Sequence, residues 1–229
     1  DETRSAGWGT QVSQGPWGGN YSVPDFSPQY LSDDAFRLYA HYGVNSMMIY
    51  GDLLCYANSQ VFPELTNPEY AENIATLKEA AARAARYGVH FSYVVVGPKL
   101  GTDHPLFQRC PGAKGSGMLP YSGGKMIHCL CSSDEDVLAF YTETFENLFR
   151  EVPELAGLIL IIGGESYYHC HMWRHAQERC PRCYRQETEV VVANLLEVTA
   201  AAVHRASPSA FVVAWPYNTH GWEQPDGLH

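Results

Sequence analysis

The sequence has no run of about 18 apolar residues, so no segment reaches the length of a transmembrane helix. Basic residues are also few: 15 Lys and Arg stand against 25 Asp and Glu, which leaves a net charge of −10. No cluster of Lys and Arg interrupts this acidic balance, and an acidic surface repels phosphate groups. We therefore expect neither a membrane nor a nucleic acid as a partner.

The chain also lacks a low-complexity linker and any repeat of roughly 20–50 residues, so we expect one domain over residues 1–229. A hydrophobic content of 45% with 17% charged residues is typical of a globular protein with a sizeable core. The seven cysteines are an odd number and cannot all pair within the chain, which leaves the compartment open.

Helical and strand-like segments alternate along the chain, which favours parallel strands joined by helical crossovers. We predict helices over 31–42, 68–87, 132–151 and 185–205, and strands over 44–50, 89–96, 158–162 and 210–215. The Ser132-x-x-Glu135 pattern predicts a capping box at the start of the third helix. The glycine-rich segment 112–124 predicts a flexible loop at the rim. The α/β pattern indicates a (β/α)8 TIM barrel.

A closed barrel usually takes about 250 residues, and long loops use much of this chain. Four strands are clear, and a further one is expected within the first 20 residues, so we predict about five of the eight barrel strands. The open sheet edge would then be covered by a later part of the barrel or by a second copy of the chain.

Residues with acidic, imidazole or aromatic side chains collect where the predicted strands end. Asp52 follows the first clear strand, Asp103 and His104 follow the second, and Trp215 and Tyr217 close the fourth. Glu165 follows the buried strand 158–162 and two glycines, which permit a tight turn and close approach of a ligand. Carboxylates, an imidazole and aromatic rings on one rim suit a carbohydrate, which offers hydroxyls and C–H faces.

Several of these segments resemble the N-terminal part of the catalytic barrel of family-20 glycoside hydrolases, the β-N-acetylhexosaminidases. Residues 40–45 (Ala-His-Tyr-Gly-Val-Asn) and 85–90 (Ala-Arg-Tyr-Gly-Val-His) are similar to helix-to-strand segments of that family. Residues 163–166 (Gly-Gly-Glu-Ser) fall where the family has Gly-Gly-Asp-Glu, and Trp215 falls on a strand-end Trp. Asp1-x-x-Arg4 is similar to the family's opening motif.

The resemblance implies a glycoside hydrolase with a carbohydrate substrate and no cofactor for catalysis. Glu165 would be the general acid, and the second carboxylate would be Asp52, Asp103 or a residue on a later strand outside this chain. The sugar subsite would be lined by Arg4, His104, Ser166, Trp215 and Tyr217. Because Ser166 replaces the second acidic residue of the family's pair, the alternative is a non-catalytic carbohydrate-binding or degenerate barrel.

A second pattern follows Glu165 directly. The Cys180-x-x-Cys183 spacing places two thiolates on one tetrahedral metal, and Cys170 with His171 or His175 would complete a structural zinc site. A Cys180–Cys183 or Cys170–Cys183 disulfide and free thiols are the alternatives, and a zinc-dependent hydrolase is a third functional interpretation. Cys110, Cys129 and Cys131 lie in a separate loop, where they form one disulfide or pack.

Overall fold

The computed structural model describes residues 10–14, 20–24, 31–119, 124–163, 169–172 and 176–216. The strands of this part are β1 (Thr10–Gln14), β2 (Asn20–Pro24), β3 (Ser46–Asp52), β4 (His90–Val96), β5 (Leu100–Gly101), β6 (Lys114–Met118), β7 (Ile127–Leu130), β8 (Gly157–Ile161) and β9 (Phe211–Trp215). The helices are α1 (Asp33–His41), α2 (Tyr70–Ala85), α3 (Pro105–Arg109), α4 (Glu135–Glu151) and α5 (Thr188–Ala206).

The central sheet has four strands in the order β3-β4-β8-β9, and every neighbouring pair is parallel. These are the four clear strands of the sequence prediction, adjacent and in their predicted order. The prediction of an α/β fold of TIM-barrel type is confirmed. The first residues contribute something different from the expected barrel strand, because β1 and β2 pair with each other as an antiparallel hairpin.

Glycines end the first two long helices where the sequence predicted. Gly43 and Gly88 have φ values of 76° and 71°, a left-handed conformation that glycine adopts without steric cost. Apolar residues spaced three or four apart, such as Ile74, Leu77 and Ala81 of α2, turn one helical face toward the sheet. No helix in the described part of the chain is long and apolar enough to cross a membrane.

The start of α4 differs from the predicted capping box. The N-cap is Asp134, whose side chain accepts a hydrogen bond from the backbone N–H of Val137. Ser132 lies two residues earlier, and its hydroxyl instead accepts a hydrogen bond from the backbone N–H of Cys170 at 2.9 Å. Both residue types can cap a helix; here Asp134 caps α4, and Ser132 makes a tertiary contact with Cys170.

The long connection between β4 and α4 contains its own antiparallel sheet, in the order β5-β7-β6. This corrects the prediction of a flexible loop at 112–124, because residues 114–118 form β6; residues 120–123 lie outside the described part. The glycines permit close strand packing rather than mobility. A Cβ on Gly115 would lie 2.7 Å from the carbonyl oxygen of Cys129, and one on Gly117 would overlap the His128 ring.

The two faces of the parallel sheet bury different residues. Helix-facing side chains such as Tyr93, Val95 and Leu160 belong to the main core. On the other face, Val94, Ile159 and Ile161 form a smaller buried cluster, against which Tyr50 and Trp215 pack. This second face corresponds to the interior of a barrel, where side chains from neighbouring strands stack in layers.

Candidate active site

Asp52 is the last residue of β3 and lies at the carboxyl edge of the parallel sheet. Alternation along the strand places its side chain on the same sheet face as Tyr50, the barrel-interior face. Only 5% of the residue is exposed. One carboxyl oxygen accepts a hydrogen bond from the backbone N–H of Leu54 at 2.9 Å, so Asp52 also caps the short 3-10 helix Leu53–Tyr56.

Burial raises the pKa of the Asp52 carboxyl group from an ordinary value of 3.8 to about 7. The low-dielectric surroundings penalise the charged carboxylate, and this effect exceeds the opposing ones. The hydrogen bond from Leu54 and the positive charge of Lys99 both favour the carboxylate and lower the pKa part of the way back. Near neutral pH, Asp52 therefore exists in both protonation states.

The backbone around Asp52 is held from several directions. The Tyr93 hydroxyl donates a hydrogen bond to the Asp52 carbonyl oxygen at 3.0 Å. Beyond it, the side-chain amides of Asn67 and Asn73 donate to the carbonyl oxygens of Leu54 and Cys55. These buried bonds satisfy the polar backbone of the loop after β3 and fix its position relative to the strand.

His104 lies in the connection that follows β4 and begins α3. Its Nδ1 accepts a hydrogen bond from the backbone N–H of Leu106 at 3.2 Å, which places the proton of the neutral ring on Nε2. Burial lowers the pKa of His104, against a smaller opposing effect of Glu64. The structure thus shows His104 as a buried, neutral N-cap residue. The neighbouring Asp103 is exposed.

Trp215 ends β9 and is partly buried beside the apolar cluster of the barrel-interior face. Strand register places it opposite Ile161, while Asp52 stands opposite Val96. Because Val95 pairs with Leu160, these four residues form one row across the sheet. Three interstrand spacings separate Asp52 from Trp215, roughly 14 Å, so they occupy opposite sides of one rim.

Five of the candidate site residues lie outside the described part of the chain: Arg4, Glu165, Ser166, His175 and Tyr217.

The residues on either side of the Glu165 segment are described. His169 Nε2 lies 2.8 Å from the carbonyl oxygen of Ile162, just after β8, and His169 Nδ1 accepts a hydrogen bond from the backbone N–H of His171. These bonds require a neutral ring with the proton on Nε2, and burial lowers the pKa of His169 to about 4. The chain on both sides of residues 163–168 is therefore joined at one point.

The cysteines form a cluster that only partly matches the predicted metal site. The sulfur atoms of Cys131, Cys170, Cys180 and Cys183 all lie within 4.8 Å of one another. Cys131 Sγ is 3.5 Å from Cys180 Sγ and 3.7 Å from Cys183 Sγ, distances far above the roughly 2.05 Å of a disulfide. None of the seven cysteines, all of which lie in the described part of the chain, forms a disulfide.

Cys131 occupies the place that the sequence analysis gave to His171. The His171 ring is engaged elsewhere, with Nε2 3.0 Å from the carbonyl oxygen of Cys183 and Nδ1 3.2 Å from the hydroxyl of Thr188. About 40 residues separate Cys131 from Cys170 in the chain, so the sequence spacing does not indicate that both belong to one metal site. The Cys129-x-Cys131 pattern at the end of a strand indicates a candidate ligand pair. The sequence does not indicate that Cys131 meets Cys170, Cys180 and Cys183.

No protein-family model and no curated protein matches the sequence. Among solved structures, the chain is similar to the GH36 α-galactosidase AgaB from Geobacillus stearothermophilus, with a TM-score of 0.50 and 16% identity over 82% of this chain. It is also similar to GH5_18 from Streptomyces cattleya in complex with GlcNAc, with a TM-score of 0.47 and 13% identity over 91% of the chain. For a GH138 enzyme targeting pectin rhamnogalacturonan II, the TM-score is 0.48 and the identity 10% over 80% of the chain.

The chain spans 25% of AgaB, 44% of GH5_18 and 18% of the GH138 enzyme. At these identities the likeness concerns the fold, and it agrees with a sheet of parallel strands from a TIM-barrel type of domain. Because these neighbours belong to glycoside hydrolase families other than family 20, the resemblance to family 20 depends on the sequence motifs alone. The structural neighbours are glycoside hydrolases, and the chain shares with AgaB an α/β fold of TIM-barrel type.

Proposed function

We propose that this chain is part of the catalytic barrel of a hexosaminidase-like glycoside hydrolase, with Glu165 as general acid and Asp52 as second carboxyl group. The observation that carries the proposal is Asp52 itself, a buried carboxyl group at the carboxyl edge of a parallel sheet. Its pKa of about 7 allows proton exchange near neutral pH, as a glycosidase requires of its acid–base residues.

Strand order supports Glu165 as the partner of Asp52. Glu165 follows β8 in the chain, and β8 lies two strands from β3 in the sheet. Two interstrand spacings are about 10 Å, and side chains leaning toward each other would shorten this distance. Glycosidase carboxyl groups stand about 5–9.5 Å apart. Carboxyl groups carried after β3 and β8 thus suit a sugar held over the end of β4.

The described residues that flank the Glu165 segment, Ile162 and His169, are joined by a hydrogen bond at 2.8 Å. This contact joins the chain at the two ends of the Glu165 segment, directly after a fully buried strand. A general acid needs positioning, because proton transfer requires hydrogen-bonding distance to the leaving oxygen.

The remaining predicted residues would bind the sugar. Trp215 and Tyr50 present aromatic rings on the barrel-interior face, where C–H groups of a pyranose can stack. In this proposal Arg4, His104, Ser166 and Tyr217 supply hydrogen bonds to hydroxyls. Ser166 stands where family 20 has its acid and Glu165 where it has its Asp, so the acetamido-assisted mechanism of that family would need a different residue arrangement.

The test is Glu165→Gln in a protein that carries this chain, assayed on two kinds of N-acetylhexosaminide. Loss of the general acid should cost roughly 10²–10⁴-fold in kcat/KM with alkyl leaving groups. Activated aryl glycosides, whose leaving groups need little protonation, should be affected much less. Glu72→Gln, at an exposed position on α2, is the matched control and should retain full activity with both substrates.

Equal hydrolysis of both substrates by the parent and by Glu165→Gln would show that Glu165 is not the acid. If the parent hydrolyses neither substrate but binds the free sugar in calorimetry, the alternative function, a non-catalytic carbohydrate-binding barrel, replaces the proposal. If the parent hydrolyses hexosides that lack the acetamido group but not N-acetylhexosaminides, the protein is a glycosidase without hexosaminidase-like specificity.

A further inference from the structure

We propose that Cys131, Cys170, Cys180 and Cys183 bind one structural Zn²⁺ ion through four thiolates. This assignment replaces His171 by Cys131 in the set expected from the sequence. It concerns a different group of residues from the glycosidase site and is independent of that function.

The spacing of the sulfur atoms is that of a tetrahedral metal site. Zn–S bonds of about 2.3 Å in tetrahedral geometry place neighbouring sulfurs about 3.8 Å apart. The observed separations of Cys131 from Cys180 and Cys183 are 3.5 and 3.7 Å, and no pair among the four exceeds 4.8 Å. A disulfide would instead draw Cys131 to a single partner at about 2.05 Å.

Burial of the four cysteines distinguishes a structural site from a catalytic one. Their exposed fractions are 0–2%, and they pack with Met118 and Val191 in a separate apolar cluster. Four thiolates complete the coordination of Zn²⁺, so no position remains for water or substrate. Binding of the metal displaces the thiol protons, up to four per ion, and forms four zinc–sulfur bonds without any change of oxidation state.

Groups around the sulfurs hold the cysteines in place. The backbone N–H groups of Cys170 and Cys180 donate to the hydroxyls of Ser132 and Ser116 at 2.9 and 3.1 Å. Arg182 lies within the Cys180-x-x-Cys183 turn, and its guanidinium donates hydrogen bonds to the Ser133 carbonyl oxygen at 3.1 Å and to the Asp134 carboxylate at 2.8 Å. A zinc ion with four thiolates carries a net charge of −2, which a nearby guanidinium would partly offset.

The site would join three segments that have little regular structure of their own. Cys131 follows β7, Cys170 follows the Glu165 segment, and the other two cysteines precede α5. The loop before Cys180 is already paired with β6, since Gly117 and Glu178 exchange two backbone hydrogen bonds. Zinc would therefore connect the inserted antiparallel sheet to the chain that returns from β8.

The first experiment measures metal in the 229-residue chain, purified without chelators. Mass spectrometry of the elements should find about one zinc per chain, and X-ray absorption should show four sulfurs at about 2.3 Å. Replacement by Co²⁺ should give the intense thiolate-to-cobalt absorption of a tetrahedral site. A wild-type chain that neither contains zinc nor takes up Zn²⁺ or Co²⁺ would overturn the proposal.

Variants identify the ligands. Cys131→Ser and Cys180→Ser should each lose most of the bound zinc. Cys129→Ser is the matched control, because Cys129 is buried in the same cluster with its sulfur 3.9 Å from Cys170, yet it is outside the four-sulfur set. Cys129→Ser and His171→Asn should keep the metal. Loss of zinc in His171→Asn with retention in Cys131→Ser would overturn the assignment.

A measurement on the wild-type chain avoids variants that fail to fold. Maleimide labelling of the native zinc-bound protein, followed by peptide mass spectrometry, should leave the four ligand cysteines unmodified. Addition of a strong chelator should make those four reactive, while the labelling of Cys110, which is half-buried outside this cluster, stays unchanged. Chelation without any effect on their labelling, or peptide masses showing disulfides among them before reduction, would contradict the proposal.

Discussion

At the scale of single residues, Asp52 combines a structural and a chemical role. Its carboxyl group caps a short 3-10 helix and lies buried at the sheet edge. Capping alone favours the carboxylate and lowers the pKa, whereas burial raises it, and burial has the larger effect here. Because the charged form is disfavoured in the folded state, the carboxyl group lowers the stability of the fold as pH rises from the unfolded pKa to the folded pKa. Such perturbed pKa values are common among functional residues.

Asp52→Asn should therefore make stability less dependent on pH. The folded pKa of about 7 exceeds the unfolded value of about 3.8, so folded wild-type protein binds more protons between these values and its stability falls as pH rises through that window. Three pKa units correspond to about 4 kcal/mol. Asn keeps an oxygen for the Leu54 N–H, so the variant should gain stability relative to wild type from pH 5 to pH 8.

Urea unfolding at both pH values measures this difference. Asp103→Asn is the control, because Asp103 is exposed and its replacement should shift stability equally little at pH 5 and pH 8. If the difference in the free energy of unfolding between wild type and Asp52→Asn is the same at the two pH values, the pKa of the Asp52 carboxyl group is not raised.

At the scale of elements, contact between β8 and β9 depends on a glycine. Gly157 pairs with Phe211, and the backbone oxygen of Phe211 approaches the position a Cβ would occupy. A strand of branched residues, Leu158 to Ile161, continues from this glycine and forms the buried centre of the sheet. In the same register Trp215 lies beside Ile161, so a shift of β9 at residue 157 would also move Trp215.

Gly157→Ala should destabilise the chain by about 1–3 kcal/mol through overpacking. The added Cβ would lie 2.5 Å from the Phe211 carbonyl oxygen, a backbone atom that cannot move without shifting β9. Chemical denaturation measures the loss. Gly101→Ala is the matched control in another strand, because nothing lies within 4 Å of its Cβ position. Equal stability of the two variants would show that β9 is not held as closely as described.

At the scale of the whole molecule, the described parallel sheet ends at β9 without a pairing partner and has an incompletely covered face. β3 and β9 are the outer strands of the described four-stranded sheet. On the barrel-interior face, Met48, Phe211 and Val213 are 37%, 41% and 42% exposed. A closed barrel would pair both outer strands and bury these side chains. We propose that further barrel strands, or a second copy of the chain, cover this face.

The 229-residue chain on its own should therefore self-associate through β9. Val213→Lys places a charge on the exposed apolar face and should shift the chain toward the monomer in light scattering after size-exclusion chromatography. Val190→Lys is the control, because Val190 is 58% exposed on α5, away from the sheet edge, and its replacement should leave the association unchanged. A wild-type chain that is monomeric at high concentration would contradict this prediction.

Local signals in the sequence were sufficient to predict the main elements and their order. Apolar runs such as 158–162 predicted the buried strands, and Gly43 and Gly88 predicted the helix ends, because periodicity and turn conformation are properties of neighbouring residues. The position of Asp52 at a strand end was predictable for the same reason. The antiparallel sheet formed by β5, β6 and β7 was missed, since its glycines resemble a loop until their packing partners are known.

The sequence by itself determined the α/β class, the parallel strands and the place of Asp52 at the carboxyl edge of the sheet, because each follows from local pattern and chain connectivity. Only the tertiary structure decided that Cys131 joins Cys170, Cys180 and Cys183 while His171 bonds to Thr188 and Cys183. It also decided that burial raises the pKa of Asp52. Both depend on segments far apart in the chain that meet only after folding, and residue spacing carries no information about such meetings.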